Sequence, residues 1–90
     1  MYQFKTTNRF EKDLKKAVKS GKDVEKIKII MKNIIDGKTL PQNFIDHKLE
    51  GNYTGYRECH IEPDWLLIYK IDKKAMEVVF VRTGTHSELF

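Results

Sequence analysis

Residues 56–82 read YRECHIEPDWLLIYKIDKKAMEVVFVR, three β-prone runs split by two turn signals, and this stretch decides the fold class. Runs 56–62, 65–71 and 75–82 are rich in β-branched and aromatic side chains, while Pro63-Asp64 and Asp72-Lys73-Lys74 supply the turns between them. Consecutive strands joined this closely are antiparallel neighbours. Upstream, residues 46–50 read as a further short strand closed by Gly51, and residues 38–45, KTLPQNFI, contain Pro41 and no clear period, so they form a loop.

Ahead of that loop the period becomes helical. Phe10, Leu14, Ala17 and Val18 recur at helical spacing among Lys12, Lys15, Lys16 and Lys19, with Gly21 positioned as a left-handed stop. Asp23 is a fitting cap for a second helix whose Val24, Ile27, Ile30, Met31 and Ile34 form an apolar stripe ending at Asp36-Gly37. The short connection makes the two helices an antiparallel hairpin. A weakly alternating strand at residues 2–5 precedes them, followed by Thr6, Thr7 and Asn8 as candidate caps. The order predicts an α+β domain, residues 1–90, with an N-terminal strand and a helical hairpin packed on one face of a mainly antiparallel β-sheet.

A chain of 90 residues buries one modest core, which leaves only a surface or shallow cleft for a site. With 40% hydrophobic and 33% charged residues the chain is too apolar to be disordered. No apolar run approaches bilayer length, and MYQFKTTNRF lacks a secretory apolar core, so a cytoplasmic location and no membrane contact are expected. The single cysteine, Cys59, excludes an internal disulfide and a cysteine-rich metal cage, leaving core packing as its role. The net charge of +4 is uneven: residues 1–38 carry 11 Lys or Arg against 5 Asp or Glu, and the remainder 6 against 8. Such a basic helical half suits a polyanionic or acidic partner, or simply a solvated lysine face.

If Pro63-Asp64 is a two-residue turn, Glu62 pairs with Trp65, His60 with Leu67 and Glu58 with Tyr69. One face then carries Tyr56, Glu58, His60, Glu62, Trp65, Leu67 and Tyr69, joined by Met76, Val78, Phe80 and Arg82 whether the next turn holds two residues or four. Cys59, Ile61, Leu66, Ile68, Val79 and Val81 are left for the helices. A helix-free face mixing histidine, arginine, carboxylates and aromatics suits single-stranded nucleic acid, whose bases stack on aromatics while cations hold the phosphates.

The three histidines, His47, His60 and His86, all lie in the C-terminal half beside turns or strand ends. Attack by a ribose 2′-hydroxyl on its own phosphate needs one group to take a proton, another to protonate the leaving 5′-oxygen, and cationic donors near the phosphorane. Imidazoles fill either proton-transfer role near neutral pH, and Arg82 offers a two-pronged phosphate contact or, equally, an ion pair with Glu62. Trp65 and Phe90 read by default as hydrophobic anchors, Phe90 docking the C-terminus, and Gly84 as a positive-φ turn residue after the last strand.

The segment HKLEGNYTGYRECHIEPDWLLIYKID, with VRTGTHSELF at the end, closely resembles the YafQ branch of the RelE/ParE superfamily of toxin-antitoxin toxins. The resemblance spans residues 46–90 through His-x-Leu-x-Gly, Gly-x-Arg-(Glu or Asp)-x-His, Pro-Asp-Trp-(Leu or Ile)-Leu-Ile-Tyr and Arg-Thr-Gly-Thr-His; the N-terminal half matches only in layout. It implies a small sheet with two N-terminal helices and metal-independent, ribosome-dependent cleavage of mRNA in the 30S A site, with no cofactor. The family's functional positions fall on His47, His60, Asp64, Trp65, His86 and Phe90. By resemblance His86 and Asp64 form the proton-transfer pair with His86 as general acid, His60 and His47 position or polarise the scissile phosphate, and Trp65 and Phe90 stack on or wall in the RNA. Arg82 also matches the family motif and suits phosphate stabilisation; Arg57 is assigned to the helix side. The partner implied is a cognate DNA-binding antitoxin with an acidic neutralising segment, the pair acting together as a transcriptional repressor.

Two rival readings follow. His47, His60, His86 and Asp64 could supply four metal ligands, but none of the histidines forms a close i, i+4 pair, and RNA transesterification needs no metal. A non-nuclease binder resembling the ParE branch, acting on DNA gyrase, would have no need of paired proton donors.

Overall fold

The computed structural model describes residues 1–90. In chain order the elements are β1 (Gln3–Thr6), α1 (Asn8–Lys19), α2 (Val24–Ile35), β2 (His47–Lys48), β3 (Arg57–Glu62), β4 (Trp65–Asp72), β5 (Glu77–Gly84) and a single-turn α3 (His86–Leu89), with 3-10 turns at Gln42–Phe44 and Gly51–Tyr53. The five strands form one sheet in the order β1-β5-β4-β3-β2, with β1 parallel to β5 and every other pair antiparallel. The α+β class and the mainly antiparallel sheet are as expected from the sequence. No helix is long and apolar enough to cross a membrane.

Both long helices start on the caps their sequence offers. The Thr7 hydroxyl accepts from the Phe10 N–H at 2.9 Å and donates to the Val81 carbonyl at 2.8 Å, tying the start of α1 to β5. Asp23 accepts from the Glu25 N–H at 3.0 Å, and Gly21, at φ +86°, takes the left-handed conformation that ends α1. The helices then lay Phe10, Ala17, Ile27, Ile30 and Ile34 on a sheet face made of Cys59, Ile61, Trp65, Leu67, Tyr69, Val78 and Phe80. Burial pushes the Cys59 thiol up to about 12, so it stays protonated and unreactive, as its packing role requires.

That face is not the one the turn parity predicts. The pairing of Glu62 with Trp65 holds only beside the turn; an irregularity between His60 and Glu62 then moves the register, so His60 stands opposite Leu66, Cys59 opposite Leu67 and Arg57 opposite Tyr69. A one-residue slip exchanges the two faces of the partner strand. Hence Trp65, Leu67, Tyr69, Val78 and Phe80 lie under the helices, whereas Leu66, Ile68 and Val81 turn to the other side. The assignments of β3 survive, with Cys59 and Ile61 inward, because the irregularity falls at its end.

A second irregularity between Ile68 and Tyr69 places Arg82 opposite Ile68, and the turn before β5 holds four residues, with Asp72 opposite Glu77. Met76 belongs to that turn, at φ +52°, and not to a strand face. The second face is also not bare. Leu66, Ile68 and Leu89 form a small core of their own, joined by Leu49, Tyr53, Tyr56 and Val81, so α3 and the segment around residues 49–56 cover much of it. The surface left for chemistry is a rim.

Candidate active site

The rim is assembled from β2, β3, the β3–β4 turn and α3. Pairing of β2 with β3 sets His47 opposite Glu58, and the strand period puts His60 on the same face two residues further on. His47 Nε2 stands 3.5 Å and His60 Nε2 3.2 Å from the same oxygen, Oε1 of Glu58. Glu58 is only 4% exposed, the one buried carboxylate of the chain. Its neighbour in space, Asp46, anchors this corner by accepting from the Tyr69 hydroxyl at 2.6 Å and from Arg57 Nε at 3.2 Å. Spacing in sequence argues against a close histidine set; strand pairing supplies one.

His86 arrives from the C-terminus. Its ring lies edge-on to that of His60, with centroids 5.5 Å apart, and its Nδ1 is 2.8 Å from Asp64 Oδ1, which also accepts from the His86 backbone N–H at 2.9 Å. Those hydrogen bonds from His86, the backbone one foremost, hold the Asp64 carboxyl below its ordinary range. An ionised carboxylate only accepts, so Nδ1 carries the hydrogen and Nε2 of His86 is the nitrogen free to exchange a proton. The structure therefore brings His47, His60, Asp64 and His86 together, each imidazole beside a carboxylate.

Gly84 fixes where α3 begins. It does not adopt a positive φ, contrary to its reading as a turn residue; what it provides is space, because a Cβ there would meet Glu88 Oε1 at 3.1 Å and Leu89 Cδ2 at 3.3 Å. Gly84→Ala is expected to push α3 aside and so to draw the His86 ring away from Asp64, seen as a shift of the His86 imidazole NMR signals beside a melting curve that changes little.

Capping at α3 is reciprocal: the Glu88 N–H donates to the Thr85 hydroxyl, and Glu88 Oε1 accepts from the Thr85 N–H at 2.8 Å. Lys16 of α1 adds an ion pair at 2.6 Å. Lys16 first and Thr85 next lower the Glu88 carboxyl from 4.5 to about 2. A carboxyl depressed on folding stabilises above its unfolded value and loses that contribution as pH falls through the folded one. The stability gap between the native chain and Glu88→Gln should thus be full at pH 6 and close between about pH 4.5 and 2, as read by denaturant titrations across that range.

The remaining sequence candidates fare differently. Trp65 is 1% exposed beneath the helices, its indole N–H without a partner, so it offers no ring face for a base to stack on. Phe90 is 59% exposed and stands edge-on to Tyr53 at 5.4 Å; the residue that anchors the C-terminus is Leu89, not Phe90. Arg82 binds Asp13 of α1 through Nε at 2.9 Å and Nη2 at 3.1 Å, while Glu62 pairs instead with Lys22 and Lys26. Beyond the end of β1, Asp13 also accepts from the Thr83 N–H, standing where a neighbouring strand would be. Two participants were not singled out from sequence: Glu58, whose place one strand period before His60 was the available signal, and Tyr53, whose position by Phe90 depends on folding of the 3-10 turn.

The fold and rim together define a small α+β protein that presents two adjoining imidazoles, each backed by a carboxylate. Residues 2–90 match the family described as the bacterial toxin of type II toxin-antitoxin systems, YafQ. The mRNA interferase toxin YafQ of Escherichia coli K12 is 45% identical over 85 residues, covering 93% of this chain and 90% of that protein. Toxin structures superpose closely: the E. coli DinJ-YafQ toxin-antitoxin complex at TM-score 0.91 and 41% identity, covering 99% of this chain and 97% of that one, and a metal-bound toxin from Helicobacter pylori at 0.94 and 40%, covering both chains fully. The chain belongs to the YafQ toxin family.

Proposed function

We propose that the chain is an endoribonuclease toxin, an mRNA interferase that cuts mRNA in the ribosomal A site without a metal and so arrests translation in the cytoplasm. The observation that carries this reading is the edge-on pair of His60 and His86 at 5.5 Å, with Glu58 behind one and Asp64 behind the other. In the proposed reaction the 2′-hydroxyl gives its proton to the Glu58–His60 pair and its oxygen attacks the phosphorus. The bond from phosphorus to the 5′-oxygen breaks, and that oxygen takes a proton from His86 Nε2, leaving a cyclic phosphate and a 5′-hydroxyl. Asp64 positions His86, His47 stabilises charge on the phosphate, and Phe90 with Tyr53 walls in a base.

Arg82, already held by Asp13, acts on the phosphate at longer range than a direct two-pronged contact. The cognate antitoxin is the second partner, its acidic segment suited to the exposed Lys12, Lys15 and Lys19 of α1. Primer extension on mRNA from cells expressing the toxin tests the reading. Breaks in codon register support it, and intact mRNA accompanied by gyrase inhibition overturns it. Glu58→Gln should retain the fold and lower the cleavage rate at least about 100-fold, the range for loss of a proton-transfer group; turnover equal to that of the native chain removes Glu58 from the reaction.

A further inference from the structure

The proposed reaction gives the RNA a direction. The 2′-hydroxyl that loses its proton belongs to the nucleotide upstream of the cut, and the oxygen that gains one belongs to the nucleotide downstream. With His60 taking the proton and His86 giving one, the upstream nucleotide lies on the His60 side of the rim. The downstream one lies on the side of α3, where Phe90 follows His86 and stands edge-on to Tyr53.

The His60 side has a recess of its own, which none of the roles above uses. β2 pairs with β3 only at Arg57 and Glu58, so the edge of β3 from His60 to Glu62 has no strand beside it. The 3-10 turn Gln42–Phe44 lies alongside that edge instead, and the gap between them, about 470 Å³, opens onto His60. Its size falls within the roughly 300–1,000 Å³ of small-ligand pockets. Phe44, held against the core, and the exposed Ile45 wall the gap from the turn, and Ile61 and Pro63 from β3 and its end.

No lysine or arginine lines this recess, and its one carboxylate, Glu62, is already paired with Lys22 and Lys26. A lining without free charge suits an uncharged flat group and not a phosphate. Hydrogen bonds to the rim of such a group can come from the exposed amide of Asn43 and from the open backbone edge of β3. Ile45, next in line, has φ +49°, a left-handed conformation that a β-branched residue takes only under strain, and strain of this kind gathers at ligand sites.

We propose that this recess receives the base of the nucleotide upstream of the cut, the one whose 2′-hydroxyl attacks, and that Asn43 discriminates among bases there. An amide presents a donor and an acceptor side by side, which tells apart the different patterns that bases carry on their edges. The assignment rests on the ribonuclease reading and on the roles it gives His60 and His86.

The test measures cleavage on programmed ribosomes for mRNAs varied one base at a time on each side of the cut. The native chain should rank the upstream bases unequally. Asn43→Ala should shrink the rate ratio between the best and the next upstream base at least about fivefold and leave the downstream ratios within twofold, with a normal melting curve because the residue is exposed. A photoreactive thiouridine placed just upstream of a cut blocked by a 2′-deoxy sugar should attach to residues 42–45. A flat upstream ranking in the native chain, or one unchanged in Asn43→Ala, removes Asn43 as the reader. Attachment of the upstream base at Tyr53 or Phe90 overturns the recess as its site. An mRNA left intact by the native chain overturns the ribonuclease reading and this assignment with it.

Discussion

His86→Ala is expected to yield a folded protein whose cleavage of mRNA on programmed ribosomes is lost by roughly 100- to 10,000-fold, the range for removal of a positioned proton donor. The fold should persist because His86 supports the structure through its backbone, which donates to Asp64 and accepts from the Phe90 N–H, and both bonds survive the substitution. The ring contributes only its exposed contact with Asp64 and its edge-on approach to His60. Asp64→Ala removes the partner that fixes the tautomer and should lower the rate strongly but less completely, since the imidazole remains. Rates measured on ribosomes, set beside unchanged melting curves, check both; growth arrest undiminished by His86→Ala would end its role as the acid.

The largest effect on stability belongs to Trp65. Truncation to alanine empties the largest of the fully buried side-chain positions and should cost about 3–5 kcal/mol. That is a large share of the roughly 5–15 kcal/mol holding such a domain together, so the melting temperature should fall by more than about 10 °C. Trp65→Phe keeps most of the apolar volume and also removes the indole N–H that has no partner, so its cost is smaller and its cleavage activity should stay near native. If Trp65→Ala instead melted normally while losing cleavage, the residue would be a stacking platform after all.

Much of the fold was legible in residues 56–82. Turn signals and alternation were enough to mark three strands, and Thr7, Asp23 and Gly21 were enough to bound the helices, because caps and stops are local chemistry. The facing of β4 was not legible. It depends on a register change between His60 and Glu62, and an irregularity of that kind has no residue signature in a run as uniform as Trp65-Leu66-Leu67-Ile68-Tyr69. Both faces are apolar there, so hydrophobicity could not arbitrate.

The site shows the same division. His60 and Asp64 sit four residues apart at one turn, and family motifs pointed to His47 and His86. The part taken by Glu58 was hidden because a carboxylate amid polar alternation looks like a solvated surface residue. Only the pairing of β2 with β3, a contact between segments ten residues apart, buries it between two imidazoles.

The reactive group proposed as the acid is carried by the final single turn of helix, which is fastened by a reciprocal cap, one lysine, one leucine and the Asp64 carboxylate of the β3–β4 turn. Its placement therefore has the durability of those few fastenings and not of the domain as a whole. Prising up five residues at the tail would disarm the molecule while every strand of the sheet stayed paired.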